Sequence, residues 1–81
     1  MAKTVEFVVN GNPIALSRDE VLAAMEGVKP EPIRSHSVAV GGVRYPVKQV
    51  FAEATGLDRL DFTSSIARRQ LARLDFDLKR S

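Results

Sequence analysis

Eighty-one residues suffice for one domain, expected to span 1–81, and leave no room for a second. With 44% apolar and 27% charged residues and no cysteine, the chain reads as an ordinary folded protein; disulfides, thiolate metal sites and thiol nucleophiles are excluded. The net charge of +2 is unevenly spread: residues 1–28 hold four acidic and two basic side chains, residues 29–81 ten basic and six acidic, which favours an anionic partner.

Thr4 to Val9 alternates, with Val5, Phe7 and Val9 on one face, which is a strand period. Asn10-Gly11-Asn12-Pro13 supplies turn chemistry, and Ile14 and Leu16 suggest a return strand, so the chain opens with a hairpin. Ser17-Arg18-Asp19-Glu20 forms a capping box at the start of a helix that buries Val21, Leu22 and Met25 and stops at Gly27. Lys29-Pro30-Glu31-Pro32 is a stiff connector, because each proline restricts itself and the residue before it.

Ile33 to Val40 reads as a third strand, Gly41-Gly42 as a two-residue turn and Val43-Arg44-Tyr45 as its return. Pro46 suits the first position of a helix whose Val47, Val50, Phe51 and Ala54 share a face and which Gly56 ends. Leu57 to Phe62 is a loop. Thr63 or Ser64 caps a last helix buried through Ile66, Ala67, Leu71 and Leu74, and Asp75 to Lys79 alternates as a closing strand. The expected fold is α+β, in the order β-β-α-β-β-α-α-β, with a small mixed or antiparallel sheet packed on helices.

Two segments carry a binding signal. Tyr45 is placed at the N-cap of the second helix, where it has no short oxygen for the first-turn amides. A phosphate would satisfy them, with Arg44 and Lys48 adding charge; the alternative is a cap from elsewhere and a Tyr45 that is a core or rim aromatic. On the last helix Arg68, Arg69 and Arg73 lie opposite the apolar stripe, with Gln70 flanking it. That is the pattern of a phosphate-contacting helix and equally of a solvated face.

Catalysis and metal binding find no constellation. His36 stands alone, and a strand turns its neighbours Ser35 and Ser37 to the other face. Asp58 and Asp61, like Asp75 and Asp77, have arginines and lysines near enough in sequence to serve as simpler partners than a metal. No cofactor is expected. Glu6 interrupts any apolar run of signal-peptide length, and no stretch approaches the roughly 18 apolar residues of a membrane span, so the expectation is a cytoplasmic protein without a membrane.

Gly42-Val43-Arg44-Tyr45-Pro46-Val47-Lys48, followed by Phe62, Ala67, Arg69, Leu71, Leu74 and Phe76, resembles a poorly characterised bacterial module with a G-x-x-Y-P-x-K core and an F-x-x-x-x-A-x-R-x-L-x-x-L-x-F ending. Such modules stand alone or beside restriction-type nucleases. The resemblance implies nucleic-acid association through Tyr45, Lys48, Arg68 and Arg69. Asp75 departs from it, standing where that ending carries glycine, so a different helix end is expected here.

The functional expectation is a non-catalytic module that meets nucleic acid, DNA ahead of RNA, through Arg44, Tyr45, Lys48, Arg68, Arg69 and Arg73. The rival is a protein-interaction or regulatory subunit, antitoxin-like or a partner of a larger enzyme, to which a hairpin edge could add a strand.

Overall fold

The computed structural model describes residues 3–80. The opening hairpin pairs β1 (Thr4–Val9) with β2 (Asn12–Ser17) antiparallel, in a register that sets Val5 against Leu16 and Phe7 against Ile14. Val5, Val9 and Leu16 are buried on its inner face, and Phe7 is half-buried against Phe51. Ser17 then caps α1 (Arg18–Ala24): its Oγ accepts from the Glu20 amide at 3.1 Å, and the Glu20 carboxylate accepts from the Ser17 amide at 3.2 Å. Val21 and Met25, one turn apart, are buried, whereas Leu22 is 37% exposed. A helix this short turns a single narrow stripe inward, and Leu22 lies about 100° round from Val21.

The remaining strands form a second antiparallel sheet in the order β4-β3-β5, with β3 (His36–Val40) central, β4 (Val43–Pro46) on one edge and β5 (Asp77–Arg80) on the other. The chain is thus a small α+β domain in the expected element order, its strands divided between two antiparallel sheets. β3 begins at His36, not Ile33. On the β4 side the ladder closes at Ser37, which faces Pro46, a residue with no amide to offer, and beyond Pro46 the chain turns into a helix.

Between β4 and β5 lie α2 (Val47–Thr55), a 3₁₀ turn over Arg59–Asp61, and α3 (Ser64–Arg73). Gly56 ends α2 in the left-handed region, φ 74°, donating to the Ala52 carbonyl at 2.8 Å. Asp58 caps the 3₁₀ turn and Thr63 caps α3, each accepting from an amide two or three residues on. Val47, Val50 and Phe51 of α2 meet Val38 and Val40 of β3, Ala67, Leu71 and Leu74 of α3, and Phe62 in one core. The Phe51 ring sits edge-on to Phe62, 4.7 Å between centroids.

Asp75 resolves the departure seen in the sequence. It takes φ 64°, the conformation a glycine would take, so α3 ends as if glycine were there. Its amide donates to Ala72 and the Phe76 amide to Leu71, satisfying two of the helix's last carbonyls. Its carboxylate accepts from Lys3 at 3.0 Å. Arg18 seals the same end, donating to the Leu74 carbonyl at 2.9 Å with its guanidinium 4.3 Å above the Phe76 ring. β5 therefore starts only at Asp77.

Candidate functional site

Tyr45 is the clearest correction to the sequence reading. It belongs to β4, is 3% exposed, and Pro46 takes the N-cap of α2 in its place. Its hydroxyl donates to the Val28 carbonyl at 3.0 Å, with the Met25 carbonyl as a second acceptor at 3.4 Å. The ring is a core element that pins the exit of α1 to the second sheet, and it has no surface to give a ligand. Gln49, one turn into α2, does similar work on the connector: buried, it donates to the Lys29 carbonyl and accepts from the Glu31 amide, both at 2.9 Å. The amide side chain stands in for the strand neighbour that a Pro-x-Pro segment cannot recruit. Glu31 is further tied to both arms of Arg59, which hold its carboxyl below the usual carboxylate range.

The three arginines of α3 divide. Arg73 is exposed but bonded to Gln70 at 3.0 Å. Arg68 and Arg69 stand beside β5 and, with His36, Ser65, Ala72, Leu78, Lys79 and Arg80, line a shallow groove. The register explains the meeting: Arg80 lies opposite His36, and Leu78 opposite Val38, so this face of the sheet turns toward α3. Strand alternation carries Lys79 toward the other side of β5, so it joins the groove at its rim. Among the described residues no carboxylate lies within ion-pair distance of Arg68, Arg69, Lys79 or Arg80. Lysine and arginine on an edge strand also deter pairing with another chain. That protective role does not account for the two arginines that α3 brings to the same groove.

Two details mark the groove electrostatically. Burial, followed by repulsion from Arg68 and Arg80, holds His36 below the ordinary histidine value. Arg68 donates to Ser65 Oγ at 3.1 Å, but its Nε is buried without a partner among the described residues. Such a donor costs about 1–3 kcal/mol, and the side chain gains by moving onto an acceptor.

Lys48 and Arg34 line a neighbouring groove with Ser64 and Gln49, and this groove also reaches His36. The two basic segments noted in the sequence are thereby contiguous through the histidine. Lys48 lies 5.6 Å from the centre of the Phe62 ring. Arg44 stands elsewhere: its guanidinium is bound to Asp77 at 2.7 Å and to Ser37 Oγ at 3.1 Å. Lys79, Arg80 and His36 were not among the six sequence candidates; only the register of β3 with β5 brings them to α3. Among the described residues no group of three metal-binding side chains occurs, and no helix is long and apolar enough to cross a membrane.

A small α+β domain with a basic groove between its last helix and its last strand, unpaired among the described residues, is the class this geometry defines. The chain belongs to the SCO5918-like family, whose model matches residues 5–81. No curated protein and no solved structure matches it. Of the side chains that carried the bacterial-module resemblance, Tyr45, Phe62, Ala67, Leu71, Leu74 and Phe76 are core, while Lys48 and Arg69 reach the surface.

Proposed function

We propose that the chain is a non-catalytic module that binds nucleic acid, DNA ahead of RNA, by phosphate contacts in the groove between α3 and β5. The observation that carries this reading is the convergence of Arg68, Arg69, Lys79 and Arg80 from two elements with no acid set against them among the described residues. Arginine and lysine in a groove suit a phosphate backbone, which fixes position without reading sequence. An anion placed there would give Arg68 Nε, which has no partner among the described residues, an acceptor, and would offset the repulsion that Arg68 and Arg80 exert on a protonated His36. Of the sequence candidates, Arg68 and Arg69 form the centre and Lys48 an extension. Arg44 is neutralised by Asp77, Arg73 is turned to Gln70, and Tyr45 is core.

The experiment is a titration of labelled DNA and RNA with the protein at 50 mM salt. Binding in the micromolar range, or weaker, is typical of phosphate-driven contact. Absence of binding to either polymer would overturn the proposal.

The protein-partner reading keeps one observation of its own. Val8 is 68% exposed on the hairpin, beside a shallow apolar trough formed with Phe7, Pro13, Ile14 and Ala15. Co-purification of a second chain, lost on Val8→Glu, would move the assignment to that face.

A further inference from the structure

We infer that the groove is built for the backbone of a DNA duplex rather than for a single strand. The inference rests on the phosphate-binding reading and turns on where the rings of this protein are. Proteins that hold single strands without sequence preference pair a basic channel with aromatic side chains on which successive bases stack. Here Tyr45, Phe51, Phe62 and Phe76 are buried, and Phe7 is half-buried on the hairpin, away from the groove. Phe51 lies tilted against Phe7 and edge-on to Phe62. Tyr45 is fastened to the carbonyls of Val28 and Met25, and Phe76 lies beneath Arg18. None lines the groove.

What lines it instead suits a ridge of phosphates. Ser65 and Ala72 present small side chains on the helix, with Arg68 and Arg69 beside them, while Lys79 and Arg80 stand along the strand. A duplex strand presents its phosphates outward with its bases already paired and stacked within, so it asks for cations and clearance, which this groove has. A single strand entering the same groove would meet one ring, the His36 imidazole, and no phenylalanine or tyrosine on which successive bases could stack.

The charge arithmetic points the same way. Each neutralised phosphate releases about 0.9 counterions from a duplex but about 0.7 from a single strand. For the four cations of the groove, and a common affinity at 1 M salt, that difference favours the duplex by about ten-fold at 50 mM.

The test is a fluorescence-anisotropy titration of the full chain against a labelled 20-base-pair DNA of mixed sequence and against each of its separated strands. All are matched in phosphate concentration at 50 mM salt. The expected result is duplex binding about ten-fold tighter than binding to either strand. Equal or tighter binding to the strands, or a strand affinity that follows base identity, would overturn the inference while leaving the phosphate groove standing. No binding to duplex or strands would overturn both.

Discussion

Removing Arg68 and Arg69 together tests the groove most directly, because it deletes half of its unpaired charge while leaving the core untouched. With four phosphate contacts the logarithm of affinity should fall against the logarithm of salt with a slope of about −3.6, so raising salt from 50 to 200 mM weakens binding about 150-fold. In the Arg68→Ala, Arg69→Ala variant two contacts remain, the slope flattens to about −1.8, and the same change in salt costs about 12-fold. Neither arginine is buried, and alanine is the better helix former, so the variant should melt close to the parent. Arg73→Ala serves as the control: that side chain is turned to Gln70 and lies outside the groove, so its removal should leave the slope within about half a unit of the parent. The assay is anisotropy of a labelled duplex at four salt concentrations, with thermal melts of every variant. An unchanged slope in the double variant, with its fold intact, would refute the placement of the site.

Other expectations separate core from surface. Tyr45→Phe removes a hydroxyl that serves two main-chain carbonyls and should destabilise the domain by about 1–2 kcal/mol, read as a melting point lower by about 5–15 °C. DNA affinity should stay unchanged; a loss of binding with no loss of stability would return Tyr45 to the interface. Ser17→Ala breaks the capping box and should cost about 1 kcal/mol in a denaturant titration; an unchanged midpoint would mean that the cap contributes nothing. For His36, a folded-state value below the unfolded one means that stability is fullest above about pH 6.5 and declines as pH falls and the imidazole must charge. A phosphate in the groove offsets the repulsion from Arg68 and Arg80 and so raises the histidine's value from its depressed one, and DNA binding should take up a proton and tighten from pH 7.5 to 5.5. His36→Gln should flatten the profile; a profile unaltered by it would separate His36 from the site.

The parts of the fold that were legible in the sequence are those set by local chemistry. Alternation in Thr4 to Val9, the Ser17–Glu20 box and the 3.6-residue stripe of Val47, Val50 and Phe51 each name their own element, because partners three or four residues apart decide them. Tyr45 was misplaced because its decisive contacts, the carbonyls of Met25 and Val28, lie 20 and 17 residues away. Asp75 was misjudged for a related reason. Aspartate tolerates the left-handed region better than most residues, and Lys3, 72 residues distant, holds its carboxylate there. The groove was half legible: the arginine face of α3 follows from helical periodicity, but His36 and Arg80 meet only through strand register.

Net charge is a poor guide to this surface, because the acids of the basic part of the chain are placed elsewhere. Of the six in residues 29–81, Glu31 is held by Arg59, Asp75 by Lys3 and Asp77 by Arg44; Asp58 caps the 3₁₀ turn and Asp61 accepts from Asn10. Asp77 belongs to β5 and Asp75 follows α3, yet among the described residues none of the six, Glu53 included, lines the groove. Since salt screens exposed charges beyond about 8 Å at physiological strength, an approaching polyanion responds to the groove and not to the total of +2. The acids thus act by where they are bound: with Asp77 tied to Arg44 across the sheet, β5 turns Arg80 toward α3 and leaves Lys79 at the rim, and among the described residues no carboxylate lines the groove.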